Sequence, residues 1–121
     1  MFIKKDELTI RSVTPDDNYM ELIIEVDGQP VGEMNCHNMG NKIAQISIEI
    51  EPAMRDKGYG TRFLRILIDE LFTNYNYVKI ILDVDINNHR ARHVYKKLGF
   101  REVWAKPEDS VVYYELKTEM L

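Results

Sequence analysis

Cysteine is almost missing from this chain. Cys36 is the single one among 121 residues, so no internal disulfide can form and a reducing, cytosolic setting is expected. Long apolar runs are missing too. No stretch approaches the ~18 residues that span a membrane, and the opening MFIKKDELTI lacks the apolar core of a secretory signal. A basic excess is absent: 16 Lys and Arg face 20 Asp and Glu, a net charge of −4. That balance argues against a nucleic-acid binder, which carries a basic stripe. There is no internal repeat, low-complexity tract or linker, so residues 1–121 read as a single domain. Two motifs are lacking as well. No GxxxxGK[ST] loop is present, which ranks a nucleotide-binding domain far behind other readings. His89 and His93 have the i, i+4 spacing of metal ligands, but no glutamate follows His89 as in H-E-x-x-H.

What the chain does have is alternation. Residues 7–13 (ELTIRSV), 19–26 (YMELIIEV), the PVGEMNCHNM run after Asp27-Gly28, and IAQISIEIE from Ile43 carry period-2 patterning. TPDDN (14–18), Asp27-Gly28 and MGNK (39–42) read as the turns between them, which predicts a four-strand antiparallel meander. One face would carry Thr9, Arg11, Glu21, Glu25, Glu33, Asn35, His37, Gln45, Ser47 and Glu49. The other would carry Leu8, Ile10, Met20, Leu22, Ile24, Val26, Met34, Cys36, Ile46, Ile48 and Ile50. Cys36 is therefore expected in the core rather than as a nucleophile.

The period then changes. Pro52 ends the strand, Arg55 to Gly60 (RDKGYG) forms a turn, and Phe63, Leu64, Leu67, Ile68, Leu71 and Phe72 recur at helical spacing over about 58–74. A strand, a glycine turn and a helix start leave backbone N–H groups unpaired at the positive end of a helix dipole. Gly58 and Gly60, without Cβ atoms, let an anionic group come close. This corner is read as the grip on the pyrophosphate of a large cofactor. Further on, YVKIILDVD (77–85) reads as a buried strand, and Asn87-Asn88 caps a second helix over roughly 89–98 that stops at Gly99. Strands at about 100–105 and 111–117 finish the chain around KPEDS. The expected fold is α/β: a mixed, mostly antiparallel sheet with a central parallel strand pair and two main helices.

RxxGxG (Arg55, Gly58, Gly60) is weak evidence alone. With the later stretch Asn88, Arg90, Ala91, Tyr95, Gly99 and Phe100 it resembles the paired motifs of the GNAT superfamily of acetyl-CoA-dependent N-acetyltransferases, over about residues 43–105. The resemblance implies that acetyl-CoA lies where strands 43–51 and 78–85 splay apart, its pantetheine arm pairing with backbone around Ile48 and Ile50. The pyrophosphate would take backbone N–H groups from Arg55, Asp56, Lys57, Gly58, Tyr59, Gly60 and Thr61, and Gly58→Val should fail by steric exclusion. Asn88 would bond the pantetheine or nearby backbone. An amine would attack the thioester directly, with Tyr95 as hydrogen-bond donor to the leaving thiolate and Glu49 as the candidate base; Glu51 is read as a solvated residue. The alternative for Tyr95 is plain core packing, and for Glu49 a solvated strand face. Lys57, Arg62, Arg90 and Arg92 are candidate phosphate partners or simple surface charges.

One departure stands out. Family members place helices between the first and second strands, walling the acceptor site, whereas only Thr14 to Asn18 separate them here. The acidic sheet face would then lie open, either for a cationic acceptor such as a polyamine, an aminoglycoside or a lysine-bearing peptide, or for solvent or a second subunit in a homodimer. The rival to an enzyme is a shortened acetyl-CoA-binding module without acceptor chemistry.

Overall fold

The computed structural model describes the backbone of residues 1–120 and the side chains of residues 1–119. It contains an eight-stranded sheet: β1 (Phe2–Lys5), β2 (Leu8–Ser12), β3 (Tyr19–Val26), β4 (Gln29–Asn38), β5 (Ile43–Ile50), β6 (Lys79–Asp85), β7 (Arg101–Lys106) and β8 (Val111–Lys117), in the order β1-β2-β3-β4-β5-β6-β8-β7. Two helices, α1 (Tyr59–Asn74) and α2 (His89–Lys97), follow β5 and β6. Every strand pair is antiparallel except β5–β6. The expected mixed sheet with a central parallel pair is therefore present. No helix among the described residues is long and apolar enough to cross a membrane.

The meander has one strand more than the alternation suggested. Phe2–Lys5 pairs with Leu8–Arg11 through a reversal at Asp6, which adopts φ 56°. FIKK carries no strand signal of its own because it is short and largely exposed, with Ile3 half-buried. Its pairing is set by β2, not by a pattern of its own.

Alternation sorts the sheet into two faces. Leu8, Ile10, Met20, Leu22, Ile24, Met34, Cys36, Ala44 and Ile46 point one way and are buried. α1 closes over them with Phe63, Leu64, Leu67, Ile68 and Leu71, one stripe at helical spacing. α2 adds Tyr95, and both helices join the same core with Leu82, Val112, Tyr114 and Leu116. Among the described residues the molecule has two layers, with α1 and α2 on the same sheet face. The other face carries Arg11, Glu21, Glu33, Asn35, Gln45, Ser47 and Glu49, as the alternation predicted.

The ends of the helices are legible in residue chemistry. The Asn88 side chain accepts from the Ala91 N–H at 3.1 Å and caps α2. Gly99 at φ 101° lets the Phe100 N–H return to the Tyr95 carbonyl at 3.0 Å, a Schellman-type stop with Lys96 and Lys97 in the last turn. α1 differs. Its N-cap is Gly58 at φ 82°, and no side chain caps its first N–H groups.

Candidate functional site

β5 and β6 are hydrogen-bonded neighbours only at Ile43↔Lys79, Ala44↔Ile80 and Gln45↔Ile81. Beyond Gln45 they part, while β5 stays paired with β4 as far as Ile50 and β6 with β8 as far as Asp85. The backbone of residues 46–50 is thus left without a strand partner on its β6 side. A cleft of about 760 Å³ opens at this divergence, lined by β5, the turn before α1, and α2.

The turn is built by local bonds. Pro52–Met54 forms one 3-10 turn, the Arg55 N–H is donated to the Pro52 carbonyl at 3.3 Å, and Arg55 Nε is donated to the Ile50 carbonyl at 2.8 Å. Arg55 therefore braces the turn against the end of β5, and its own amide is turned inward. The open amides start after it, and the first N–H groups of α1 have no intrahelical partner. Gly58 and Gly60 line the cleft. A Cβ at Gly58 would meet nothing within 4 Å, so within the protein itself the glycine answers to φ 82° rather than to crowding.

Among the expected site residues, the cleft gathers Ile48, Glu49, Ile50, Arg55, Asp56, Gly58, Gly60, Thr61, Asn88 and Tyr95 along its wall. Lys57 and Tyr59 are in the same turn but outside that lining. Tyr95 is packed between Phe100 and Tyr114, with ring centroids 6.2 and 5.8 Å away. Burial, then the negative charge of Asp83 and the Tyr114 phenol, push its pKa above the ordinary phenol value. A raised phenol keeps its proton through the neutral range.

Glu49 sits on the strand face opposite Ile48 and Ile50, directly across from Glu33 on β4. Like charges in opposed positions are destabilising, and neither carboxylate has an ion-pair partner among the described residues. Glu51 lies past the end of β5 and is exposed.

The candidate cations divide. Arg62 is bound to Glu7. Arg92 is a strut of the fold, donating to the Tyr114 hydroxyl at 3.1 Å, to the Ile86 carbonyl at 2.8 Å and to Glu102 at 3.3 Å. Arg90 reaches across the cleft to Asp56. Cys36 is fully buried, and burial pushes its thiol up to about 12, as befits core.

Gly32 belongs to neither of the two glycine-bearing motifs of the sequence. A Cβ there would stand 2.2 Å from the Glu49 carbonyl oxygen and 3.0 Å from Ile50 Cα. It lies at an irregularity in the β3–β4 register, between Ile24↔Gly32 and Glu25↔Pro30. A lone glycine within a strand pattern is itself the sign of such close approach.

Comparison with known proteins agrees with this architecture. A spermidine N(1)-acetyltransferase of Escherichia coli K12 is 36% identical over 87 residues, which are 70% of this chain and 47% of that protein. The chain thus spans about half the length of the curated relative. Among solved structures, a Vibrio cholerae spermidine N-acetyltransferase in complex with CoA and spermine superposes with a TM-score of 0.86 at 17% identity, covering 96% of this chain and 98% of that one. A second Vibrio cholerae spermidine N-acetyltransferase structure, described as dodecameric, gives 0.81 at 23% identity over 86% of this chain and 67% of that one. The Acetyltransferase (GNAT) family model matches residues 3–100, and the chain belongs to that family.

Proposed function

We propose that the cleft binds acetyl-CoA and that the chain transfers the acetyl group to an amine of a cationic acceptor of the polyamine type. The observation that carries this reading is the parting of β5 from β6 beside an uncapped, glycine-opened helix start. The residues present fit the group. Open amides and a positive dipole end suit a diphosphate, and the unpartnered edge of residues 46–50 suits an extended amide-bearing arm.

When bound, acetyl-CoA supplies an activated acyl thioester; the rest of the chemistry belongs to the chain. Tyr95 holds a proton at its Oη and donates from there to a departing thiolate. A free N–H on the β6 side of β5 is the donor for developing oxyanion charge. Glu33 and Glu49 face the opposite side of the sheet from Ile48 and Ile50. The acceptor therefore comes from the open face and the donor from the helix face, to meet in the gap between the strands. The opposed carboxylates attract a cation, and Glu49 takes the proton of the acceptor ammonium through water, which frees the amine to attack. The spermidine acetyltransferase relatives support this class of acceptor.

Calorimetry with acetyl-CoA and then thiol release over an amine panel tests the reading. Binding heat and fastest turnover on polyamines are expected. Faster turnover on neutral aryl amines removes the cationic acceptor; no heat removes the donor site as well.

A second reading has its own support. The link between β2 and β3 contains no helix, so among the described residues no helix walls the acceptor side. A module that binds acetyl-CoA without efficient transfer would show heat and no thiol release. The same bare face supports a homodimer whose second copy supplies the wall.

A further inference from the structure

The two lips of the cleft are joined by an ion pair. Arg90, in the first turn of α2, places Nε 3.2 Å from Oδ1 of Asp56 in the turn before α1. Asp56 takes a left-handed φ of 64°, two residues before the equally left-handed Gly58. Both members of the pair line the cleft, and both are well exposed, at 60% and 67% of their side-chain surface. The neighbouring guanidinium groups are tied into the fold, Arg55 to a backbone carbonyl, Arg62 to Glu7 and Arg92 to Tyr114. Arg90, by contrast, is held by a carboxylate that itself stands at the open helix start.

From this geometry we infer that Asp56 is a counter-ligand of the donor site: it holds Arg90 across the cleft and weakens the hold on the anionic end of the donor. The inference rests on the cleft being the CoA site, and it assigns a carboxylate of the phosphate turn an unfavourable part in binding. The physics is competition. A carboxylate near a helix N-terminus occupies the same positive potential that a diphosphate needs. It also neutralises the guanidinium that would otherwise meet the phosphate. Donor and thiol product carry the same diphosphate, so Asp56 shortens the stay of both. An exposed pair contributes little to folding, and its removal is therefore felt at the ligand.

The test is calorimetry on the full chain with CoA, and with pantetheine as a probe that lacks phosphate. Asp56→Asn removes the charge and tolerates the left-handed backbone. It should tighten CoA by about three- to tenfold, a gain that fades as salt screens it, and leave pantetheine unchanged. Asp56→Gly, at ease at positive φ, should give the same gain. Arg90→Gln should weaken CoA, and Asp56→Asn in that background should recover less than it gains in the parent chain. CoA heat from the parent with no gain in either Asp56 variant overturns the inference alone. No CoA heat from parent and variants alike overturns the donor-site reading and the inference together.

Discussion

A phenol enclosed by Phe100 and Tyr114, and within the field of Asp83, ionises above its ordinary value. The sign follows from linkage. Stability owed to protonated Tyr95 is fully present below the unfolded value of about 10 and is lost as pH rises through the folded one. Donation from Oη is therefore available across the neutral range. No protein group is hydrogen-bonded to that hydroxyl among the described residues, so Tyr95→Phe keeps the ring packing and removes only the donor. It should lower kcat by roughly 100-fold and leave the melting temperature and CoA affinity near those of the parent. A melting temperature that falls along with activity would make Tyr95 a packing residue. Gly32→Ala is the opposite case. Its Cβ would collide with the Glu49 carbonyl, 2.2 Å away, and β5 must give way where it lines the cleft. The expected loss is about 1–3 kcal/mol of stability together with weaker acetyl-CoA binding, read by denaturant melts and calorimetry. An unchanged melt would mean that β5 shifts freely there.

At the scale of elements, legibility follows the range of the forces involved. α2 could be read from end to end because its signals are local: an Asn88 cap and a Gly99 stop. β1 could not, since four mostly exposed residues gain their strand identity from pairing with β2. The β6–β8–β7 end shows a further device outside the reach of spacing. Glu115 is buried on β8 yet faces Arg101 on β7, Lys79 on β6 and its near neighbour Lys117, with Arg101 Nη2 at 3.0 Å. Burial pushes its carboxyl up, but the Arg101 hydrogen bond and the charges of Lys117, Lys79 and Arg101 outweigh that and leave it below the ordinary value. A depressed carboxyl stabilises the fold above its unfolded pKa of about 4.3, and that contribution is lost as pH falls through the folded one. In Glu115→Gln the acid arm of a stability profile should therefore be shallower than in the parent. Parallel acid arms would show that the three cations hold nothing together.

For the molecule as a whole, the consequence of two layers is a sheet face that neither α1 nor α2 covers. Its residues were evident from alternation, because period 2 survives any arrangement of strands. That Glu33 and Glu49 stand directly opposite each other was not, since register is set by turns and by packing far along the chain. The same holds for the Asp56–Arg90 contact, which joins segments brought together only by the crossover from β5 to β6. Two carboxylates forced into opposition repel each other in the free protein and reward any cation that enters between them. One substitution separates these effects. Glu33→Gln should stabilise the unliganded fold by about 0.2–1 kcal/mol. It should also raise KM for a polyamine by about three- to tenfold with little change in kcat, because the contact is made equally in ground and transition states. A neutral amine should be acetylated by the variant as by the parent. If KM rises equally for both amines, Glu33 shapes the strand rather than the charge of the face. If the fold is destabilised instead, the repulsion between the two strands was already relieved by something other than an acceptor.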